Sequence, residues 1–172
     1  MQSNRVMNAL SRRSLLVGGA IAGASSALGL SMLKPEASIA ATPADKRNDI
    51  TILNGALFYE HQAIWAYGFA ASKLSSTDVG KAVLALALRN QADHKAHRDA
   101  LAAAIRSLGG NPVRAMNSYD VSSYLKAGEG NLDSDVNIAK LALALEVDAA
   151  IAYTSEVSRL KTPALVVAGA SI

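Results

Sequence analysis

Residues 57–67 read LFYEHQAIWAY and residues 91–101 read QADHKAHRDAL, and these two stretches determine the fold class and the candidate site. On a helix of 3.6 residues per turn, Glu60 falls inside an apolar stripe of the first stretch. His94 and His97 are three residues apart, so they share the inner face of the second stretch. Both stretches are therefore predicted to be helices that direct acidic or imidazole groups toward a common core.

Long segments of helical periodicity extend outward from these stretches. The first runs over 48–73, the second over 76–108 and the third over 134–160. Ser or Thr can cap the start of the second helix, and the glycines at 109–110 are a typical helix end. A loop at 113–131 joins the second and third helices, and its tyrosines suggest that it packs across the bundle surface. The pattern predicts an all-α protein.

A fourth helix is predicted to begin at Thr162 and Pro163, because Thr is a favourable N-cap and Pro is favoured at the first helical position. Only nine residues follow Pro163, ending at Ile172, so this helix is much shorter than its predicted partners. We therefore expect an antiparallel four-helix bundle whose fourth helix is truncated at the C-terminus.

The third helix is predicted to contribute one more carboxylate to the core. Glu146 points away from the polar face of this helix and shares its stripe with Leu143, Ala150 and Tyr153. The polar face is formed by Asn137, Lys140, Asp148, Ser155 and Arg159.

Four residues are thus candidate ligands of a metal ion: Glu60, His94, His97 and Glu146. Burying an unpaired carboxylate costs several kcal/mol, so such a group is normally paired, protonated or bound to a metal. Carboxylate and imidazole donors suit Fe, Mn or Zn, and we expect Fe or Mn ahead of Zn. Two interpretations stay open: a metal site, or a metal-free polar network that fixes the helix register.

Residues 1–40 have the plan of a secretory signal. The sequence SRRS at 11–14 is typical of twin-arginine export, a Gly- and Ala-rich apolar stretch follows, and SIA at 38–40 is a cleavage pattern. We expect cleavage after Ala40, a linker at 41–47, transient contact with the twin-arginine translocase and a periplasmic location. The alternative is an uncleaved signal that serves as a membrane anchor.

Composition excludes several functions. The net charge of +3 belongs entirely to the first 40 residues, where four basic residues meet one acidic residue, so nothing indicates nucleic-acid binding. The absence of cysteine excludes disulfides, thiolate metal sites and cysteine nucleophiles. An aromatic group off the Glu60 stripe predicts a second packing surface, which a homodimer could use: Phe58, Tyr59, Trp65 and Phe69.

The stretches at 57–67 and 91–101, with LGGNPV at 108–113 and LEVDAAIAY at 145–153, resemble ferritin-like domains of the exported bacterial type. The resemblance covers 48–172. In ferritin-like di-metal proteins, two helices each supply a Glu and two supply Glu-x-x-His.

By this resemblance Glu60, Glu146 and His94 match the ligand positions, whereas Gln91 replaces the Glu of the second-helix motif. His97 could substitute for that Glu, and the fourth-helix motif would lie beyond Ile172. The resemblance thus implies a mononuclear or low-affinity site for Fe or Mn, or loss of the metal.

Two functions follow as hypotheses. One is an exported metal-binding protein, with oxidase or stress-defence chemistry at Fe or Mn. The other is a non-catalytic structural or interaction module with a vestigial polar core and a partner surface around Trp65. Iron storage in a cage is disfavoured, since nothing in the sequence indicates shell assembly.

Overall fold

The computed structural model describes residues 41–127 and 130–169, and every regular secondary-structure element within them is an α-helix. The predicted signal peptide at 1–40 lies outside these residues. None of the helices found within them is long and apolar enough to cross a membrane. The elements are α1 (Pro43–Ala71), α2 (Asp78–Ser107), α3 (Ser122–Ala127), α4 (Asp135–Val157) and α5 (Pro163–Gly169). The expected all-α fold is confirmed, with α1, α2, α4 and α5 as the helices of the bundle.

The first helix begins earlier than its sequence pattern predicts. Thr42 caps it: its hydroxyl oxygen accepts from the backbone N–H of Asp45 at 3.1 Å, and the Asp45 carboxylate accepts from the N–H of Thr42 at 3.1 Å. Pro43 occupies the first turn, where its missing N–H has no cost. The prediction of a linker at 41–47 is therefore wrong from Pro43 onward, because a capping box turns this polar stretch into helix.

The hydrophobic core lies where α1 and α2, the most extensively packed pair, meet the end of α4. Leu57 of α1 and Ile105 of α2 are almost fully buried, and burial of such a side chain contributes about 1.5–3 kcal/mol. Leu165 and Val166 of α5 pack against the same cluster. The other buried members of the cluster are Ile52, Leu53, Ala56, Leu101 and Leu160.

The connection from α2 to α4 packs on α1, as expected from its tyrosines. Tyr119 is buried, and its ring centroid lies 5.5 Å from that of Phe58 and 5.9 Å from that of Trp65. Part of the connection is helical, since α3 interrupts the predicted loop. The aromatic group of α1 is therefore a packing surface for the protein's own chain, and a homodimer contact there stays a prediction.

The predicted buried face of α4 is wrong in part. Leu143 is 50% exposed and Ala150 is also exposed, although both were expected to share the buried stripe of Glu146. The helix instead buries Ile138, Leu141 and Ala144. The reason is that, among the described residues, no element packs over the Leu143 side of α4.

A buried carboxylate fixes the turn between α4 and α5. Asp49 of α1 has no exposed surface, and it accepts hydrogen bonds from the backbone N–H of Lys161 at 2.8 Å and of Thr162 at 2.9 Å. The side chain of Asn48 donates a further bond at 3.1 Å. Burial opposes ionisation, but these hydrogen bonds prevail and lower the pKa of Asp49. We call this arrangement the Asp49 clamp; Asp49 is not among the residues predicted from the sequence.

Candidate metal centre

His94 of α2 lies between two carboxylates at the centre of the bundle. Its Nδ1 atom is 2.7 Å from Oε2 of Glu60 in α1, and its Nε2 atom is 3.1 Å from Oε1 of Glu146 in α4. The side chain of Glu60 is 2% exposed and that of His94 is 12% exposed. Glu60, His94 and Glu146 thus meet at one point from three helices, as helical periodicity predicts.

His97 lies one turn after His94 in α2 and also approaches Glu60. Its Nδ1 atom lies 3.7 Å from Oε1 of Glu60, and its ring stands nearly perpendicular to that of His94. One potential ligand atom from each of Glu60, His94 and His97 lies within 4.8 Å of the other two. Glu146 is outside this set, because it contacts the opposite nitrogen of the His94 ring. Three of the four predicted ligands are therefore brought together, and the fourth supports one of them.

Two tyrosines complete a polar cluster that they form with Glu60, His94, His97 and Glu146. The hydroxyl of Tyr153 in α4 donates to Oε1 of Glu60, and the hydroxyl of Tyr67 in α1 donates to Oε1 of Glu146. Asn90 of α2 donates to the oxygen of Tyr67 at 2.9 Å. Helical periodicity places Tyr67, Asn90 and Tyr153 on the inner faces of their helices but assigns them no role. A repeated spacing could have revealed the pair, since each Tyr follows a core Glu by seven residues.

The pKa values of the acidic and basic groups in the polar cluster are shifted so that both kinds of group stay charged. Burial alone would raise the pKa of Glu60, but hydrogen bonds from His94, His97 and Tyr153, with the positive charge of His94, lower it to about 2. Burial would lower the pKa of His94, but its two carboxylate partners raise it to about 9. Burial also opposes ionisation of Glu146, yet the bonds from His94 and Tyr67 keep its pKa below the ordinary value. Without a metal, the stable state is an imidazolium between two carboxylates.

Burial and the neighbouring carboxylates raise the pKa of both tyrosines, so each keeps its proton and acts as a donor. For Tyr67 burial is the largest cause, followed by the charge of Glu146. For Tyr153 burial is again the largest, followed by the charge of Glu60.

Gln91 is held away from the cluster. Its Nε2 atom donates to the backbone carbonyl of Ile64 at 2.9 Å, and its Oε1 atom accepts from Lys95 at 2.8 Å. The position that would be an acidic ligand in a Glu-x-x-His motif therefore serves as a neutral bridge between α2 and the backbone of α1. The third histidine, His61, also lies apart, with Nε2 at 3.3 Å from the carbonyl oxygen of Val113.

A family model described as a ferritin-like domain matches residues 48–172. The chain therefore belongs to the family of ferritin-like domains, in agreement with its helical fold and its polar core. No curated relative matches it. Among solved structures it is similar to a conserved hypothetical protein, rv2844, from Mycobacterium tuberculosis, with 26% identity, a TM-score of 0.58, and coverage of 74% of this chain and 81% of that one.

The donor chemistry fits a single metal ion. Glu60, His94 and His97 supply one carboxylate and two imidazoles, a combination that is typical of mononuclear non-haem iron sites. Glu146 accepts at the other nitrogen of His94, which is the arrangement by which a carboxylate orients a metal-binding imidazole. A second ion would need further acidic ligands, and Gln91 does not provide one.

Proposed function

We propose that this protein binds one divalent metal ion, iron or manganese, in the core of its bundle through Glu60, His94 and His97. The observation that carries the proposal is the convergence of three donor atoms within 4.8 Å of one another, one of them from a carboxylate that is almost completely buried. Two imidazoles one turn apart on α2 hold their donors at a fixed spacing, because i and i+3 side chains lie on the same helix face.

The residues around the donor set support their orientation. Glu146 holds the Nε2–H of His94, which leaves Nδ1 on the side of Glu60. Tyr153 holds one oxygen of Glu60 through its hydroxyl. When bound, iron or manganese would supply one-electron redox chemistry.

A second candidate function is a structural or interaction module with a metal-free polar core. It is favoured by the hydrogen bonding of the cluster, in which both ring nitrogens of His94, both oxygens of Glu60 and one oxygen of Glu146 already have protein partners. In this case the imidazolium and the two carboxylates would fix the register of α1, α2 and α4. The two candidates differ in one measurable property, the affinity for a metal.

Elemental analysis of the protein purified without chelator tests the proposal. We expect about one Fe or Mn per chain in the wild type, and a loss of at least about tenfold in affinity for His97→Ala and for Glu60→Gln, because even the loss of a residue that only orients a ligand typically costs about that much. His61→Ala is the matched control, because His61 follows Glu60 directly in α1 but contacts a backbone carbonyl outside the cluster.

Metal titration decides between the two candidates. A folded wild-type protein that takes up neither Fe(II) nor Mn(II) would exclude the metal site and favour the structural module. Equal metal content in His97→Ala and His61→Ala would also contradict the proposed ligand set. Circular dichroism of each variant identifies a loss of metal that follows from unfolding.

We also propose that the protein is exported to the periplasm by the twin-arginine translocase, which would be its transient partner. The support is the SRRS sequence at 11–14 and the cleavage pattern that ends at Ala40. Replacement of Arg12 and Arg13 by Lys tests it, since the twin arginines are the recognition signal. Cell fractionation should find the wild type in the periplasm and the double variant in the cytoplasm; equal distribution of the two would contradict export by this route.

A further inference from the structure

A cavity of about 330 Å³ lies beside the polar cluster, between α1, α4 and the connection that precedes α4. Its walls are mostly apolar side chains, and on α1 they include Trp65 and Phe69, whose rings stack on each other with centroids 5.2 Å apart and 4° between their planes. The facing walls come from α4 and the connection and include Val121, Leu132, Ile138, Leu141 and Leu145. A volume of this size falls in the range of small-molecule sites.

The inner end of the cavity is polar. Tyr67, His94 and Glu146 line it, so the cavity reaches the cluster on the Nε2 side of His94, opposite to Glu60. The side chain of Glu146 is 34% exposed, whereas that of Glu60 is 2% exposed. Within the part of the chain that the structure describes, the hydrogen bonds of Glu146 from Tyr67 and His94 both end at Oε1, so Oε2 can accept from a molecule in the cavity.

We propose that this cavity binds a small, mostly apolar molecule that carries a neutral hydrogen-bond donor, such as an aromatic alcohol, with the donor on Glu146. The apolar walls exclude a strongly hydrated ligand, because a polar group buried there without a partner would lose its hydration uncompensated. An ionised carboxylate only accepts hydrogen bonds, so it selects a donor and repels an anion. Trp65 and Phe69, which border the cavity, offer aromatic contacts to the ring of such an alcohol.

The proposal goes beyond metal binding and does not depend on it. Neither Glu60 nor His97 lines the cavity, so the ligand would contact the cluster only through Glu146, Tyr67 and His94. Binding that is the same in metal-free and metal-loaded protein would support the cavity even if the metal proposal failed. Conversely, a bound metal without ligand binding would leave the metal centre and exclude the cavity site.

Isothermal titration calorimetry with 2-naphthol and 2-naphthoate tests the chemistry of the ligand. The two probes share a ring system and differ in whether they carry a donor or an anion. We expect 2-naphthol to bind and 2-naphthoate to bind at least about tenfold more weakly, because a buried unfavourable charge contact costs more than 1.4 kcal/mol. Glu146→Gln should reduce this ratio, since an amide can donate to the naphthoate as well as accept from the naphthol.

A steric variant tests the location. Ala149→Phe fills the cavity from α4 and should weaken 2-naphthol binding at least about tenfold, which corresponds to about 1.4 kcal/mol. Ala103→Phe on the exposed side of α2 is the control and should bind as the wild type does. Because Ala149→Phe can fail to fold, Ala142→Leu provides a smaller block at the same wall, and circular dichroism checks both variants.

Three results would overturn the proposal. The first is a wild-type protein that binds neither probe, and the second is equal affinity for 2-naphthol and 2-naphthoate. The third is unchanged 2-naphthol binding in folded Ala149→Phe and Ala142→Leu. If sedimentation shows a dimer that dissociates on Trp65→Ala while 2-naphthol does not bind, the cavity wall is instead a contact between copies of this chain.

Discussion

Tyr153 of α4 donates its hydroxyl hydrogen to Glu60 of α1. The reverse contact joins Tyr67 of α1 to Glu146 of α4. In each helix the tyrosine follows the glutamate by two turns. Because α1 and α4 are antiparallel, the glutamate of each helix lies opposite the tyrosine of the other. These two hydrogen bonds fix the register of α1 against α4 and keep both carboxylates facing His94.

Tyr153→Phe should destabilise the metal-free protein by about 1–3 kcal/mol, because it removes a hydrogen bond to a buried carboxylate and leaves that acceptor less satisfied. Urea denaturation measures the change in the free energy of unfolding. Tyr59→Phe is the matched control, since Tyr59 is 46% exposed and its substitution should change stability by less than about 0.5 kcal/mol. Equal losses in the two variants would mean that the bond to Glu60 contributes nothing.

The stability of the metal-free protein should depend on pH through His94 and Glu60. The folded pKa of His94 is raised from 6.5 to about 9, so its contribution is complete below about pH 6.5 and is lost as the pH rises through about 9. The folded pKa of Glu60 is lowered from 4.5 to about 2, so its contribution is complete above about pH 4.5 and is lost as the pH falls through about 2. For these two groups stability is greatest between about pH 4.5 and 6.5.

Thermal unfolding in EDTA at a series of pH values measures this dependence. His94→Gln is the control, because it removes the titrating imidazole and should abolish the loss of stability between pH 6.5 and 9. If the wild type and the variant lose stability in parallel over that interval, another group is responsible.

Gln91→Glu restores the acidic residue of a Glu-x-x-His motif, but it should not create a second metal site. Its side chain faces the carbonyl oxygen of Ile64, to which a carboxylate cannot donate. We expect a loss of about 1–3 kcal/mol in stability and no increase in metal per chain. Urea denaturation and elemental analysis check the two parts; a second equivalent of metal in this variant would show that Gln91 alone limits the site.

Asp49→Asn should weaken the Asp49 clamp, because an amide offers one acceptor atom where the carboxylate offers two to Lys161 and Thr162. We expect a loss of about 1–3 kcal/mol, and the unfolding transition in urea measures it. Asp148→Asn is the control on an exposed position of α4, where a change below about 0.5 kcal/mol is expected. A clamp variant as stable as its control would mean that water satisfies these two N–H groups equally well.

Periodicity alone predicts the helices and the inward direction of Glu60, His94 and His97, because helical geometry fixes which residues share a face. It does not predict which partner each inward side chain contacts. Glu146 is correctly placed on the inner side, yet it lies behind His94 and not beside His97, since this depends on the packing of α4 against α1. Gln91 is near the edge of the wheel, and only the structure shows its bond to Ile64.

Residues whose partners lie far away in the sequence are the hardest to predict. Asp49 lies at the start of the predicted first helix, directly after the predicted linker, and its role depends on backbone N–H groups more than a hundred residues later. The cavity beside Glu146 is likewise formed by segments from three parts of the chain. Local patterns carry no information about either, because both arise from tertiary packing.

The Asp49 clamp also constrains the order in which the protein can fold. The carboxylate and the Lys161 N–H that it binds are 112 positions apart, so this contact belongs to the slow, non-local class of folding events. Until residues 161 and 162 arrive, the charge of Asp49 must stay hydrated, and water is retained at the neighbouring end of the core around Ile52 and Leu53. The amino-terminal helices can thus form early, but the core around Ile52 and Leu53 is completed only after residues 161 and 162 have bound Asp49.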